Sequence, residues 1–175
     1  MRRRKRLKKE FSMKRIIVIG CPGGGKTTFS KKLGDKLGLP IYHLDSIWHK
    51  PDRTNIGEEE FDARLADILK LDSWIIDGNY GRTMEIRMAA CDTVVFLDYP
   101  LDLCLDGVRK RMGKPRPDMP WVETEEDEEF INFIKSFDQL QRPKILELLE
   151  KYSDKNIVIF TSREQSEDFL SDCEG

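Results

Sequence analysis

The chain has 175 residues, of which 39% are hydrophobic and 35% charged, and this length suffices for one domain with a substantial buried core. It contains no stretch of about eighteen apolar residues and no apolar stretch after its N-terminal charges, which excludes a transmembrane helix and a signal peptide. We therefore expect a cytoplasmic protein without a membrane partner.

The formal net charge of -2 conceals an uneven distribution. Residues 1–12 hold seven Lys or Arg and one Glu, so residues 13–175 are acidic and direct binding of nucleic acid by them is disfavoured. The basic segment has three interpretations: an arm for nucleic acid or anionic lipid, a disordered tail, or a translated leader. We favour the leader, because Lys9-Glu10 can be encoded by a ribosome-binding sequence shortly before Met13. The domain then spans 13–175 and begins at the first predicted strand.

The first predicted elements are a buried strand over 14–19 and a helix over 27–37. Between them, residues 20–27 match the pattern G-x-x-x-x-G-K-T, a loop whose backbone N–H groups wrap around phosphates. In this pattern Lys26 reaches the β- and γ-phosphates and Thr27 offers its hydroxyl to Mg²⁺. We expect this loop to bind a nucleoside triphosphate through Gly20, Cys21, Pro22, Gly23, Gly24, Gly25, Lys26, Thr27 and Thr28.

The four cysteines are widely spaced without a C-x-x-C pair, which is typical of reduced thiols and not of zinc sites or disulfides. Cys21 differs from the others because it lies in the phosphate loop. One hypothesis is that nearby N–H groups and Lys26 lower the pKa of its thiol and make it oxidisable. The alternative is a buried, unreactive thiol.

The rest of the chain alternates between predicted strands and helices. Further strands are predicted at 41–44, 74–76, 93–97 and 156–160, and helices at 58–71, about 83–90 and 100–112. This alternation predicts a five-stranded parallel sheet with helices on both faces. Such sheets bind ligands beyond the carboxyl ends of their strands, where we expect Gly20, Asp45, Asp77 and Ser162 to meet.

The acidic run 123–129 precedes several apolar residues. Metal binding is one interpretation of this run. We prefer a helix N-terminus, where acidic side chains are favoured by the helix dipole.

These motifs together resemble the adenylate kinase-like P-loop kinases. Besides the phosphate loop, the resemblance rests on Trp74-Ile75-Ile76-Asp77-Gly78, on 94–100 and on Thr161-Ser162-Arg163. It implies an α/β, three-layer P-loop NTPase fold with an acceptor-side helical insert at about 46–72 and a small arginine-bearing lid at about 112–128. Four segments, 43–45, 77–80, 116–119 and 142–149, look more like the family labelled DNA topology modulation proteins. That label describes a phenotype and not a reaction.

The resemblance implies transfer of the γ-phosphoryl group of MgATP to a small acceptor: a nucleotide, a nucleoside or a hydroxylated metabolite. It implies catalytic roles for Lys26, Asp45, Arg109 and Arg116, the lid arginines among them. Arg111, Ser162 and Arg163 are the further residues expected to contact ATP. The alternative function is a regulatory ATPase or a DNA-topology-associated factor that uses ATP as a switch. Monomer and homodimer are both left open.

The acceptor side departs from the nucleoside monophosphate kinases. Asp77-Gly78 is followed by Asn79-Tyr80 and not by Phe-Pro-Arg, so no arginine is assured for an acceptor phosphate. Asp45 matches the position where shikimate-type kinases hold an acidic residue near a substrate hydroxyl. Arg82 and Arg87, in contrast, could hold an acidic group of the acceptor by bidentate hydrogen bonds. The expected substrate residues are Asp45, Asp77, Asn79, Arg82, Arg87 and Arg142.

Two acidic residues compete to orient water bound to magnesium. Asp77 and Asp98 each follow an apolar run. In the architecture that the chain resembles, the third strand lies beside the strand of the phosphate loop. We therefore assign the metal role to Asp77, together with Thr27, and expect Asp98 to be a structural cap.

Overall fold

The computed structural model describes residues 12–173, so most of the basic segment 1–12 lies outside the described residues. Five strands form one parallel sheet in the order β2-β3-β1-β4-β5. They are β1 (Arg15–Gly20), β2 (Ile41–His43), β3 (Trp74–Asp77), β4 (Thr93–Leu97) and β5 (Asn156–Phe160). The predicted α/β fold with a five-stranded parallel sheet is confirmed.

The helices are α1 (Lys26–Leu37), α2 (Leu44–Trp48), α3 (Glu58–Leu69), α4 (Gly81–Ala90), α5 (Leu101–Arg111), α6 (Glu128–Leu140), α7 (Arg142–Lys151) and α8 (Arg163–Asp172). They cover the sheet on both faces, because every residue of β3 and β4 is buried and so is β1 from Ile16 onward. Continuous apolar runs are what a parallel sheet covered on both faces requires.

Three helices were not predicted from the sequence. Helix α2 is a short turn that begins at Leu44, so β2 ends at His43 and not at Leu44 as predicted. One residue, Gln141, separates α6 from α7. Helix α7 has a proline in its first turn, a position where proline costs no backbone hydrogen bond. Helix α8 begins after Ser162, whose side chain accepts a hydrogen bond from the Gln165 amide.

The strand pairing brings predicted site residues together at the carboxyl ends of the strands. Asp77 is in register with Val18 on one side and with His43 on the other. Because β1 continues to Gly20, the phosphate loop leaves the sheet just beyond Asp77. The premise that the third strand lies beside the strand of the phosphate loop is thus confirmed.

The acidic run 123–129 leads into α6, with Asp127 as the N-cap and Glu128 and Glu129 in the first turn. The Asp127 carboxylate accepts hydrogen bonds from the backbone N–H groups of Glu129 and Phe130, at 3.0 and 3.4 Å. The helix N-terminus interpretation fits this geometry.

No helix within residues 12–173 has both the length and the apolar character needed to cross a bilayer.

Candidate functional site

A cleft of about 660 Å³ opens beyond the carboxyl ends of the strands. Its floor is the phosphate loop, 22–28, and its walls come from both sides of that loop. Residues after β2 and β3 form one wall, and residues of α5, the following segment and α8 form the other. The predicted site residues that line it outside the loop are Asp45, Asp77, Asn79, Arg111, Arg116 and Arg163.

The phosphate loop owes its shape to glycines that pack closely on their neighbours. Gly23 has a φ of +81°, and a Cβ there would stand 2.1 Å from the carbonyl oxygen of Cys104. On the facing helix, a Cβ on Gly107 would stand 2.0 Å from the Gly23 carbonyl oxygen. Two glycines thus let α5 pack directly against the loop, which any side chain would prevent.

Lys26 lies half-buried at the start of α1. Its Nζ donates hydrogen bonds to the carbonyl oxygens of Gly20 and Cys21, at 3.0 and 3.3 Å. Burial lowers the pKa of Lys26, while the charges of Asp45 and Asp77 oppose that shift. The ammonium group therefore points along the inside of the loop, where phosphate oxygens can replace the two carbonyls.

Asp77 and Asp98 occupy different places. The Asp77 carboxylate is 4% exposed, lines the cleft and accepts a hydrogen bond from His43 Nδ1, with 2.6 Å between Nδ1 and Oδ2. Burial alone would lower the pKa of His43, but the hydrogen bond and charge of Asp77, with Asp118 and Asp45, raise it above its ordinary value. Asp98 does not line the cleft and instead pairs with Arg142.

Asp45 follows β2 and is held by a tyrosine. The Tyr80 hydroxyl donates to Asp45 Oδ1 at 2.6 Å. Burial, followed by the charge of Asp45, raises the pKa of Tyr80 above its ordinary value, so the phenol remains a proton donor. One oxygen of Asp45 is thereby fixed while the carboxylate still faces the cleft.

Asn79 contacts the phosphate loop and not only the cleft. Its Oδ1 accepts a hydrogen bond from the Gly20 amide at 3.0 Å, and its Nδ2 donates to the Gly20 carbonyl oxygen at 2.6 Å. The side chain thus fixes both backbone polar groups of the first loop glycine. This is a positioning role, whereas the sequence predicted a substrate contact.

Arg87 is completely buried and holds the same segment from below. Its guanidinium donates to the carbonyl oxygens of Gly78, Asn79 and Tyr80. Burial lowers the pKa of Arg87 to about 10. The predicted substrate contact is not supported, because Arg87 does not line the cleft and its N–H groups already donate to backbone carbonyls and to the Thr83 hydroxyl.

Arg82 and Arg142 also lie away from the cleft, contrary to the prediction. Arg82 makes a bidentate pair with Asp62, at 2.9 and 2.7 Å, beside a second pocket of about 230 Å³. Arg142 makes a bidentate pair with Asp98, with both contacts at 2.9 Å. In each case a carboxylate from a distant part of the sequence accepts the hydrogen bonds of the guanidinium group, so this group is not available to a substrate.

Two of the three predicted lid arginines line the cleft. Arg116 lies 3.3 Å from Glu123 and 3.6 Å from Asp118, and the Arg111 Nε lies 3.8 Å from Glu123. Burial, followed by the charge of Arg116, lowers the pKa of Arg111. Arg109, expected to be catalytic, does not line the cleft and pairs with Glu126 at 3.1 Å on the exposed side of α5.

The segment after α5 crosses to the wall formed by β2 and α2. The Ser46 hydroxyl donates to the carbonyl oxygen of Asp118 at 2.9 Å, and the Trp121 ring contacts His49 edge-on with 5.1 Å between ring centroids. Asp118 itself is 4% exposed and lines the cleft. Its Oδ1 is buried without a hydrogen-bond partner among residues 12–173.

The opposite wall includes Tyr99, which follows β4, and residues of α8. Arg163 lines the cleft, whereas Ser162 caps α8 and does not. The Tyr99 hydroxyl donates to the Ser166 hydroxyl at 2.8 Å, which ties β4 to α8 beside the loop.

Cys21 is buried beneath the loop, against the hypothesis of an activated thiol. Its hydrogen bond with Cys104 and its burial raise the pKa of Cys21, and these effects outweigh the charge of Lys26. The thiol is therefore a packing group of the loop, and it does not line the cleft.

Three site residues were missed by sequence reasoning: His43, Tyr80 and Asp118. His43 is the last residue of β2, two before the predicted Asp45, and Tyr80 directly follows the predicted Asn79 and precedes α4. Their positions were the available signal. Asp118 lies in a segment without regular structure; the resemblance at 116–119 included it, but gave it no role in the site.

No protein-family profile matches the chain. It is 25% identical over 122 residues to a protein of Methanocaldococcus jannaschii provisionally assigned as an adenylate kinase, a match that covers 63% of this chain and 66% of the relative. It is 30% identical over 112 residues to the shikimate kinase of Corynebacterium jeikeium, with 57% and 59% covered. The chain thus spans less than two thirds of the length of each relative.

Solved structures resemble the chain over nearly its whole length. The shikimate kinase of Acinetobacter baumannii in complex with shikimate has a TM-score of 0.62 at 19% identity, with 91% of this chain and 90% of the other covered. A gluconokinase of Sinorhizobium meliloti 1021 has a TM-score of 0.58 at 12% identity, with 93% and 90% covered. The chain therefore has the P-loop NTPase fold of the shikimate kinase-like type.

Proposed function

We propose that the protein transfers the γ-phosphoryl group of MgATP to a hydroxyl group of a small acceptor. The observation that carries this proposal is one cleft in which Lys26 and the glycine loop face Asp45 and Asp77. Similarity to proteins named as adenylate kinase, shikimate kinase and gluconokinase supports it. The resemblance of four segments to the DNA topology modulation proteins is compatible with it, because that label names a phenotype.

The cleft residues fit a magnesium-bound triphosphate. Gly25 has a φ of +90°, with no atom within 4 Å of the place where a Cβ would stand, so the inner surface of the loop is open. The hydroxyl of Thr27 and the carboxylate of Asp77 are oxygen donors of the kind that Mg²⁺ prefers, directly or through water. Bound there, MgATP would supply the phosphoryl group and a metal charge that polarises it.

The chain's own residues supply the electrostatic part of catalysis. Lys26 exchanges the loop carbonyls for phosphate oxygens, and Arg111 and Arg116 neutralise negative charge from the lid side. Because they are held in place before the reaction, little reorganisation is needed as charge spreads over the transferred group. Arg163 lines the cleft on the far wall, and we assign it to the nucleotide.

We assign to Asp45 the role of binding the hydroxyl group of the acceptor. Tyr80 bonds Oδ1, so Oδ2 is the oxygen that orients the hydroxyl and accepts its proton. The buried Arg87 donates a hydrogen bond to the backbone carbonyl oxygen of Tyr80, and the Tyr80 hydroxyl in turn holds the Asp45 carboxylate. Asp45 thus reaches the acceptor on a rigid support.

The test is incubation of the full chain with ATP labelled at the γ-phosphate and a panel of nucleosides, nucleoside monophosphates and hydroxylated metabolites. We expect label in one class of acceptor, and we expect Asp45→Asn to lower that transfer by at least about a hundredfold. The matched control is Asp67→Asn, an exposed acid on α3. Label released only to water would favour a regulatory ATPase, and no consumption of ATP would contradict both functions.

A further inference from the structure

We propose that the acceptor is a polyhydroxylated molecule without any phosphate or carboxylate group. This inference rests on the proposed function and narrows it. Nucleoside monophosphates, shikimate and gluconate all carry an anionic group, so the claim separates this chain from the acceptors that those names suggest.

The acceptor end of the cleft is rich in carboxylates. Asp45 follows β2 and Asp77 is the last residue of β3, and these two strands lie at one side of the sheet. Asp118 joins them, because the hydrogen bond from Ser46 to its carbonyl ties it to the start of α2. Its charge also reaches both Tyr80 and His43. Three carboxylates thus surround the space in front of the phosphate loop on this side.

Two cationic side chains at this end already have partners. Arg116 lies between Asp118 and Glu123, and His43 is hydrogen-bonded to Asp77. Asp45 is bonded by a neutral hydroxyl. An anionic acceptor would therefore bring a fourth negative charge to a wall where Arg116 and His43 are already paired, and opposite charge is what such a group needs. Lys114, which lines the cleft without an ion pair among residues 12–173, is the lid cation that such an acceptor would have to use.

The arginines that could have held an anionic acceptor lie elsewhere. Arg82 and Arg142 form bidentate pairs with Asp62 and Asp98, and Arg87 is buried on backbone carbonyls. None of the three lines the cleft. Lys26, Arg111 and Arg163 do line it, on the loop and on the α5 and α8 wall, where the donor phosphates are assigned.

Asp118 is the specificity-determining residue in this proposal. One of its oxygens is buried without a partner among the described residues, which is costly for a carboxylate. A hydroxyl or ammonium group of the acceptor can donate to this carboxylate once the lid adjusts, whereas a phosphate or carboxylate offers only acceptor atoms and repulsion. The preference for donor-bearing acceptors therefore comes from Asp118 together with Asp45.

The test compares neutral or amino-bearing acceptors with anionic counterparts: adenosine with AMP, and glucitol and glucosamine with gluconate. We expect kcat/KM for the neutral or amino member to exceed that of its anionic counterpart at least about tenfold. Faster phosphorylation of AMP or gluconate would overturn the inference and leave the kinase function standing. Absence of any transfer together with absence of ATP binding would instead remove the proposed function.

Binding measurements decide the matter even where no panel member reacts. Diadenosine pentaphosphate links two adenosines through five phosphates and so spans both a donor triphosphate site and an acceptor monophosphate site, and we expect it to bind no more tightly than ATP. Binding about a hundredfold tighter would overturn the inference. Asp118→Asn should raise the affinity for this probe relative to ATP about tenfold, whereas Glu125→Gln, an exposed acid of the same segment, should leave the ratio unchanged. An unchanged ratio in Asp118→Asn would also count against the proposal.

Discussion

Replacing Asn79 by alanine should loosen the phosphate loop without touching any loop residue. The substitution removes both hydrogen bonds to Gly20, of 3.0 and 2.6 Å, in a half-buried setting. At a net value of about 0.5–1.5 kcal/mol for each bond, the free energy of unfolding should fall by about 1–3 kcal/mol. Because the bonds fix the first loop glycine, part of this loss should appear in ATP affinity, with an increase in Kd of about tenfold.

Urea unfolding and calorimetric titration with MgATP measure these two effects. Asn132→Ala on the exposed face of α6 is the matched control and should change neither. Asn79→Asp keeps the acceptor for the Gly20 amide but sets a carboxylate against the Gly20 carbonyl, so it should weaken ATP binding more than alanine does. The account of Asn79 as a positioning residue is refuted if Asn79→Ala binds ATP as the wild type does and loses only acceptor turnover.

Three further predictions concern the supports of the cleft. Asp77→Asn should lower kcat at least about a hundredfold and Asp98→Asn less than about tenfold, in steady-state assays; equal losses would contradict the assignment of the metal role. Arg87→Met leaves three carbonyl oxygens without their donor, so it should lower the free energy of unfolding by more than about 3 kcal/mol, and an unchanged urea midpoint would contradict the role seen for Arg87. Trp121→Ala removes the contact with His49 and should speed cleavage within 112–127 by a glutamate-specific protease about two- to tenfold, whereas an unchanged cleavage rate would mean that this contact does not hold the segment.

The sequence was sufficient to predict the sheet and the floor of the cleft. The glycine loop follows an apolar strand and precedes a helix, so its place at the carboxyl end of β1 follows from local pattern alone. The choice of Asp77 over Asp98 rested on the third strand lying beside β1, but β1 pairs with both β3 and β4, so strand order alone does not separate the two acids. The cleft separates them, because Asp77 lines it and Asp98 does not.

The arginines could not be placed from the sequence, for a physical reason. A guanidinium is directed by its nearest carboxylate or carbonyl, and those partners lie far along the chain: Asp98 is 44 residues from Arg142, and Asp62 is 20 residues from Arg82. Arg87 is a harder case, because it is buried against backbone oxygens that carry no side-chain signal. The type of residue suggested an anion site, but the three-dimensional partners determine whether the charge is available.

Asp118 is a second residue whose place in the cleft could not be predicted from the sequence. Its neighbours in sequence indicate only a polar, proline-rich segment, and its burial in the cleft depends on a hydrogen bond from Ser46, 72 residues away. The lid and the acceptor wall are therefore linked by contacts that the order of residues does not reveal. The character of the acceptor site, more than the fold, required the structure.

Titration calorimetry with MgATP, on the wild type and on two lysine variants, tests the central claim most directly. We expect one binding site per chain, loss of that binding in Lys26→Met, and full retention in Lys31→Met, whose lysine lies exposed on the same helix. Failure of the wild type to bind any purine triphosphate in the presence of divalent metal, or equal binding by Lys26→Met, would contradict the claim that the glycine loop and Lys26 hold the phosphoryl donor.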